Sequence, residues 1–469
     1  MDTRYAVRGQ AFSACDPRLQ GALTRVYESS ERPRCLCVQG GVEMYIARHG
    51  EFVIKRMPGT GHLHHATCPS FEPEAGDSGL GELLGEAIVE HAPEEVEIRT
   101  AFPLARLNGK PMPKGEPSDD PVVVNAPRKR MSLRAVLHFL YDRAGFNRWY
   151  PAMEGRRSQA VIHRYLTAVA KGITLKGGTL EERLYVPEPF ISADADAIGQ
   201  RRRRKLALLM SPEADVGFKM AIVVGQFNGV EATEHGRQIL IKHMPDVPLN
   251  IDTKAWEKAE RGYRPLLQAL DADVERKPKV VVAALIYAKR ERLYQVDTLT
   301  MMLVTDQWIP LDGLYELELV EELRQQRRAF FKPLKFDAKT AAGFPNVLLL
   351  DAGPQPLPMH VVSPFADPKD RAIKEKVIKA CRQPPWVWET DKPIPGFPRR
   401  GTSGHSGSSD REMPRTAPRA DSGAASTTDV AQEVPHGGGD WAASEPDVSV
   451  EDSAGGEAVA ADGEKETTS

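Results

Sequence analysis

Residues 313–390 read GLYELELVEELRQQRRAFFKPLKFDAKTAAGFPNVLLLDAGPQPLPMHVVSPFADPKDRAIKEKVIKACRQPPWVWET. Gly313–Arg328 has Leu317, Val320 and Leu323 at helical spacing, with Glu316, Glu321, Glu322 and Arg324 on other faces, which predicts an amphipathic helix. Phe330–Phe336 reads as a strand. Asn346–Leu350 and Pro358–Val362 are short apolar runs, as buried strands are. Asp367 ahead of Pro368 can cap a helix over Asp367–Cys381, and Trp386–Glu389 is a last strand. The element order is α-β-β-β-α-β.

That order resembles the core of the restriction-endonuclease-like PD-(D/E)xK superfamily. In those enzymes a Pro-Asp opens the second strand, and the third carries an acidic residue followed two positions later by Lys. The carboxylates bind Mg2+, which activates water. The matching positions here are Pro345-Asn346 and His360-Val361-Val362, so all three functional residues differ. The resemblance implies an inactive nuclease-like domain. The alternative is a metal-dependent nuclease with a migrated site, using Asp337, Asp351 and His360 with Lys374 or Lys376 from the following helix.

Outward from this region, the clearest chemistry lies in Cys35–Cys68. It holds Cys35, Cys37 and Cys68 together with His49, His62, His64 and His65. Cys35-Leu-Cys37 precedes a hairpin predicted from Glu43–Ala47 and Phe52–Lys55 about His49-Gly50, and the second group follows it. Thiolate and imidazole are the ligands zinc prefers, and a small two-stranded unit needs such a staple. The spacing predicts a zinc-ribbon-like module with Cys35, Cys37, Cys68 and either His64 or His65 as ligands. Four protein ligands leave no open position for water, so the Zn2+ is structural. The cluster also resembles the amino-terminal zinc module of competence CoiA-like proteins, which join it to a nuclease-like domain.

Between these regions the pattern is mixed. Ser132–Ala144 and Ser158–Lys171 read as helices with serine caps. Lys254–Leu270 reads as a helix capped by Asp252 or Thr253. Glu95–Ala105, Leu206–Met210, Lys219–Val224, Gln238–His243, Val280–Tyr287 and Leu299–Val304 read as strands. The run Arg201-Arg202-Arg203-Arg204-Lys205, with Arg128-Lys129-Arg130, is the densest positive charge and suits DNA or RNA phosphates.

The chain has 62 Lys+Arg and 65 Asp+Glu, a net charge of -3. Residues 401–469 hold 4 and 14 of these, a net of -10, which leaves residues 1–400 at +7. The tail lacks Leu, Ile, Phe and Tyr, so it reads as disordered. The longest apolar run, Val280–Ala288, is far shorter than the ~20 residues of a membrane helix. The polar N-terminus and five cysteines predict a cytoplasmic protein without a disulfide framework. Breaks at Lys110–Arg130, Pro187–Arg204 and Lys392–Arg400 suggest five segments: a zinc module over 31–75, α+β regions over 76–190 and 191–310, a nuclease-like domain over 311–391, and a linker with tail over 392–469.

Three stretches, Arg34–Pro73, Ser132–Glu188 and Ala329–Trp388, together resemble the bacterial family catalogued as domain of unknown function 1173. That resemblance implies a setting among integrative and conjugative elements, with partner proteins of such an element. The expectation is an α+β protein that binds or processes nucleic acid. The alternatives are the altered nuclease above and a non-enzymatic protein-interaction scaffold.

Overall fold

The nine-residue run Val280–Ala288 lost its alternation because its strand is covered on both faces. Val280, Val282, Ala284, Ile286 and Ala288 enter one core, while Val281, Ala283, Leu285 and Tyr287 enter a second. A strand with no solvent face has no polar positions to alternate. The computed structural model describes residues 3–49, 51–92, 95–106, 129–210, 217–234, 236–272, 275–381 and 383–401. The acidic tail, Val122–Val124 and Arg128 lie outside the described residues. The described helices are α1 (Arg18–Val26), α2 (Leu133–Arg143), α3 (Gln159–Lys171), α4 (Leu180–Arg183), α5 (Ala195–Leu206), α6 (Thr253–Ala272), α7 (Leu314–Gln325) and α8 (Pro368–Ala380). None of them is long and apolar enough to cross a membrane.

The doubly covered strand belongs to a closed barrel. Its five strands in chain order are Phe218–Thr233, Gly236–Ile241, Leu249–Ile251, Lys279–Arg290 and Leu293–Val304. The first pairs antiparallel with the second through Phe227–Thr233, and with the fourth through Met220–Gln226. The second pairs antiparallel with the third. The third meets the fifth in parallel at Asn250 and Gln295, and the fifth runs antiparallel to the fourth. The ring therefore reads 1-2-3-5-4-1, with α6 crossing between the third and fourth strands. This is the connectivity of an OB-type Greek-key barrel. The long first strand turns from one partner to the other at a register shift between Phe227 and Gly229, whose φ of 123° suits only glycine. Trp256 and Ala269 of α6 pack into the barrel core.

The second sheet is the one anticipated over 313–390. Phe330–Phe331, Val347–Leu349 and Leu357–Val362 are successively antiparallel, and Trp386–Glu389 returns parallel to Leu357–Val362 after α8. The predicted element order α-β-β-β-α-β is present. Its first strand is shorter than expected, and Arg148–Trp149 from a distant segment adds a fifth strand. Two smaller sheets remain. One contains Ile88–Ala92, Glu95–Ile98, Ile173–Leu175 and Gly178–Thr179. The other orders Gln10–Ser13, Arg4–Val7, Arg34–Cys35, Val42–His49 and Glu51–Arg56, with α1 burying Leu19, Ala22, Leu23 and Val26 against Val7 and Phe12.

One strand expectation needs correction. Leu206–Met210 is not a strand but the end of α5 and a 3-10 turn, because Leu206 and Leu209 are three apart and both reach the barrel core. The strands Val42–His49 and Glu51–Arg56 share their sheet with Arg4–Val7 and Gln10–Ser13. Leu184–Tyr185 and Pro310–Leu311 both join the barrel strands. The helix caps hold: Ser132 Oγ accepts from Ala135 N at 3.2 Å, Asp252 Oδ1 from Lys254 N at 2.9 Å, and Asp367 Oδ1 from Lys369 N at 2.8 Å.

Candidate metal centre

Cys35 ends a two-residue strand, and the chain then turns through Cys37 to Gly40 and Gly41. Gly41 has a φ of 66°, and a Cβ there would lie 3.1 Å from Arg34 Cβ and 3.2 Å from Cys35 O. Glycine is thus required for the turn that presents both thiols. After the hairpin, a 3-10 turn over Gly61–Leu63 delivers His64, and a further turn, Cys68 N to His65 O at 2.8 Å, delivers Cys68.

The ligand atoms of Cys35, Cys37, His64 and Cys68 all lie within 4.8 Å of one another. Cys35 Sγ is 3.7 Å from Cys68 Sγ, His64 Nδ1 is 3.2 Å from Cys37 Sγ, and it is 3.7 Å from Cys68 Sγ. A tetrahedron built on Zn–S bonds of ~2.3 Å and Zn–N bonds of ~2.05 Å has S–S edges of roughly 3.8 Å and S–N edges of roughly 3.6 Å. The cluster could therefore hold a metal such as zinc. All three thiols are free. Hydrogen bonds from Cys35 and Cys68 hold the Cys37 thiol well below the usual range, while bonding to Cys37 and Cys68, with burial, pushes Cys35 up. The two sequence candidates are now separated. His64 belongs to the cluster, whereas His65 turns its Nδ1 to Thr67 Oγ1 at 2.9 Å.

The centre is anchored on the second sheet. Arg148 donates to Pro69 O at 2.6 Å and to Phe71 O, and Ala66 N donates to Pro354 O at 3.3 Å. Cys35, Cys68, Phe71 and Met44 share a core with Phe331, Leu348 and Leu350.

Asp337, Asp351 and His360 are not brought together. Among the described residues, the cysteine–histidine cluster is the one group with metal-binding geometry. Asp337 accepts from Ser132 N at 2.9 Å and Ser132 Oγ at 2.6 Å, at the start of α2. Asp351 accepts from Arg328 at 2.7 Å and 3.0 Å and from Ala329 N at 3.1 Å. His360 is buried with neither ring nitrogen hydrogen-bonded; burial, then nearby Lys374, lowers its pKa to about 3.

What occupies the matching position is a buried ion cluster. Glu316 of α7, placed by sequence among the polar residues, is 3% exposed. Its Oε2 accepts from Asp312 N at 2.6 Å and lies 3.3 Å from Lys332 Nζ, and its Oε1 accepts from Asn346 Nδ2 at 2.6 Å. Lys332, 1% exposed, donates to Asp312 Oδ2 at 2.8 Å. Lys374 donates to Asn346 Oδ1 and Phe344 O, each at 2.7 Å, and burial lowers its pKa to about 8. Lys332 was missed because Phe330–Phe336 reads only as a strand, with no side chain in it assigned to a site.

The basic run lies on α5 and is partly consumed by the fold. Arg202 is buried and pairs with Asp246, Arg201 pairs with Glu188 at 2.7 Å, and Lys205 donates to Glu181 O at 2.5 Å. Arg203 and Arg204 are exposed. No curated protein and no solved structure matches the chain. The model of the family described as "Protein of unknown function (DUF1173)" matches residues 5–391, and the chain belongs to that family.

Proposed function

We propose that the protein binds single-stranded nucleic acid on its barrel, with a structural zinc ion at Cys35, Cys37, His64 and Cys68 and a nuclease-like sheet that does no chemistry. The observation that carries this reading is the barrel connectivity combined with a basic rim. OB-type barrels use the face of their second and third strands, and the adjoining loops, for oligonucleotides. Asp246, in the loop between those strands, pairs with both Arg202 of α5 and Arg292 of the turn between the fourth and fifth strands, the latter at 3.6 Å. The charges of Arg202, Arg203 and Arg292 all bear on the Tyr294 hydroxyl, which puts exposed Arg203 near Arg292. Exposed guanidinium groups there suit the phosphates of a strand crossing the barrel.

The nuclease alternative has less support, since Asp337 and Asp351 are engaged elsewhere and His360 is sealed in the sheet. Mobile-element transfer or maintenance is the setting we propose for this binding.

Fluorescence anisotropy of a labelled oligothymidine, titrated across salt concentrations, tests the reading. Affinity should fall steeply with salt, with a log–log slope of about -0.7 per phosphate contacted. Arg203→Ala and Arg292→Ala should each reduce the slope by about one contact. Absence of binding even at low salt refutes the proposal.

A further inference from the structure

A groove of about 480 Å³ opens on the outside of the barrel between the loop after α4 and the second strand, lined by Phe190, Asn228, Glu231, Gln238, Lys242 and His243 among others. That volume suits a single base or nucleotide. Three features mark it as built. Asn228 stands in the bulge where the first strand changes partner, a place where bulges re-aim side chains. Glu231, Gln238 and Asn250 form a polar row across three strands, paired by register. Gln238 Nε2 donates to Asn250 Oδ1 at 3.1 Å, which leaves the Gln238 carbonyl beside the Glu231 carboxylate as acceptors. His243 is held at a φ of 66°, uncommon outside glycine, and its Nδ1 accepts from Phe190 N at 3.1 Å. Burial, followed by Lys242 and Lys279, lowers the pKa of His243 to about 4, so the ring is neutral at pH 7. With Nδ1 accepting, the proton sits on Nε2, a donor directed away from the backbone bond.

The groove thus offers a carboxylate acceptor, N–H donors from His243, Lys242 and Asn228, and the ring of Phe190. Among the bases only guanine has two adjacent donors, N1–H and the N2 amine, which a carboxylate can accept together. Its O6 and N7 are acceptors for N–H groups on the other edge. We propose that this groove seats one guanine of a bound single strand, with Glu231 on its N1–H and N2 amine, N–H groups of the groove on O6 or N7, and Phe190 against its face. This inference rests on the single-strand reading above and adds a base preference to it.

The test is anisotropy on the full chain, using labelled oligothymidine with one central residue replaced by deoxyguanosine, deoxyinosine or deoxyadenosine. Deoxyguanosine should bind about tenfold tighter than deoxyadenosine, the scale of one good bidentate base contact. Deoxyinosine, which lacks the N2 amine, should fall between. Glu231→Gln should bring the deoxyguanosine-to-deoxyadenosine ratio close to one, whereas Arg203→Ala should weaken all three by the same factor. Equal affinity for all three oligonucleotides overturns the guanine pocket and leaves the single-strand reading standing. Absence of binding to every oligonucleotide overturns that reading and the pocket with it.

Discussion

Glu316→Gln isolates the energetics of the buried ion cluster, because it keeps the side-chain volume and changes one oxygen to an amine. In the wild type both Glu316 oxygens accept: Oε1 from Asn346 Nδ2, and Oε2 from Asp312 N with Lys332 nearby. Glutamine cannot satisfy both sides. With its oxygen toward Asp312 N, its amine faces the Asn346 amine; flipped, it faces Asp312 N and the Lys332 ammonium. Asn346 cannot flip in response, since its Oδ1 already accepts from Val361 N at 2.9 Å and from Lys374. One buried donor is left unpaired, which costs about 1–3 kcal/mol, and Lys332 loses one of its two carboxylates, worth about 1 kcal/mol more where Asp312 remains. The expected loss is about 2–4 kcal/mol in urea-induced unfolding, seen as a lower midpoint. Adding Asn346→Asp supplies an acceptor for the new amine and restores the charge count, so E316Q/N346D should recover most of the loss. A loss under about 0.5 kcal/mol in E316Q, the scale of an ordinary surface change, refutes the reasoning. A double variant no more stable than E316Q refutes it equally.

Three further outcomes are expected. Cys37→Ser should abolish a stoichiometry of one zinc per chain in elemental analysis and lower the unfolding midpoint; a wild type that folds with no bound metal counts against the structural zinc. His360→Leu removes two unpaired buried nitrogens and should stabilise the protein by about 1 kcal/mol at pH 7. Because the folded pKa of His360 is about 3 and the unfolded value ~6.5, the unfolded chain takes the proton first as pH falls. Wild-type stability should therefore decline below about pH 6.5 relative to H360L, and parallel pH curves would count against it. For Lys374, a folded pKa of about 8 against an unfolded ~10.4 means that the unfolded chain holds the proton longer as pH rises. Stability should climb by about 2–3 kcal/mol between pH 8 and 10 relative to Lys374→Met; a flat difference contradicts the burial of a strained cation there.

The features legible in the sequence were local ones. Ser132, Asp252 and Asp367 cap the helices they precede, and Trp386–Glu389 is a strand at its expected bounds. The four candidate metal ligands lie within one short segment, so their spacing carried the information. The barrel was not legible, because its closure depends on pairings far apart in sequence. Leu249–Ile251 is three residues long, and its contact with the fifth strand is the single pair Asn250 and Gln295. Arg148–Trp149 joins Phe330–Phe331 across an even longer separation. Two misreadings had an available signal. Ile198, Arg202 and Leu206 are four apart on α5, so a helical reading of the basic run turns Arg202 inward. Glu316 shares the buried stripe of Leu319, Val320 and Leu323 on α7, where its charge alone argued for solvent.

The two concentrations of chemistry in this chain differ in what they leave open. At the candidate metal centre, the ligand atoms of three thiols and an imidazole lie within 4.8 Å of one another and could hold an ion beside the core that Cys35 and Cys68 share with Phe331, Leu348 and Leu350. In the second sheet the reverse holds. Lys332 pairs with both Asp312 and Glu316, Lys335 lies 3.4 Å from Asp312 at the rim, and Lys374 donates to Asn346, which in turn donates to Glu316. Burial alone would raise the Asp312 pKa, but the charges of Lys332 and Lys335 outweigh it and hold the carboxyl well below its usual range. A hydrolytic metal needs carboxylates that are not already paired with ammonium groups. Lys332 and Lys335 thus bring to these carboxylates the positive charge that a divalent cation would otherwise supply.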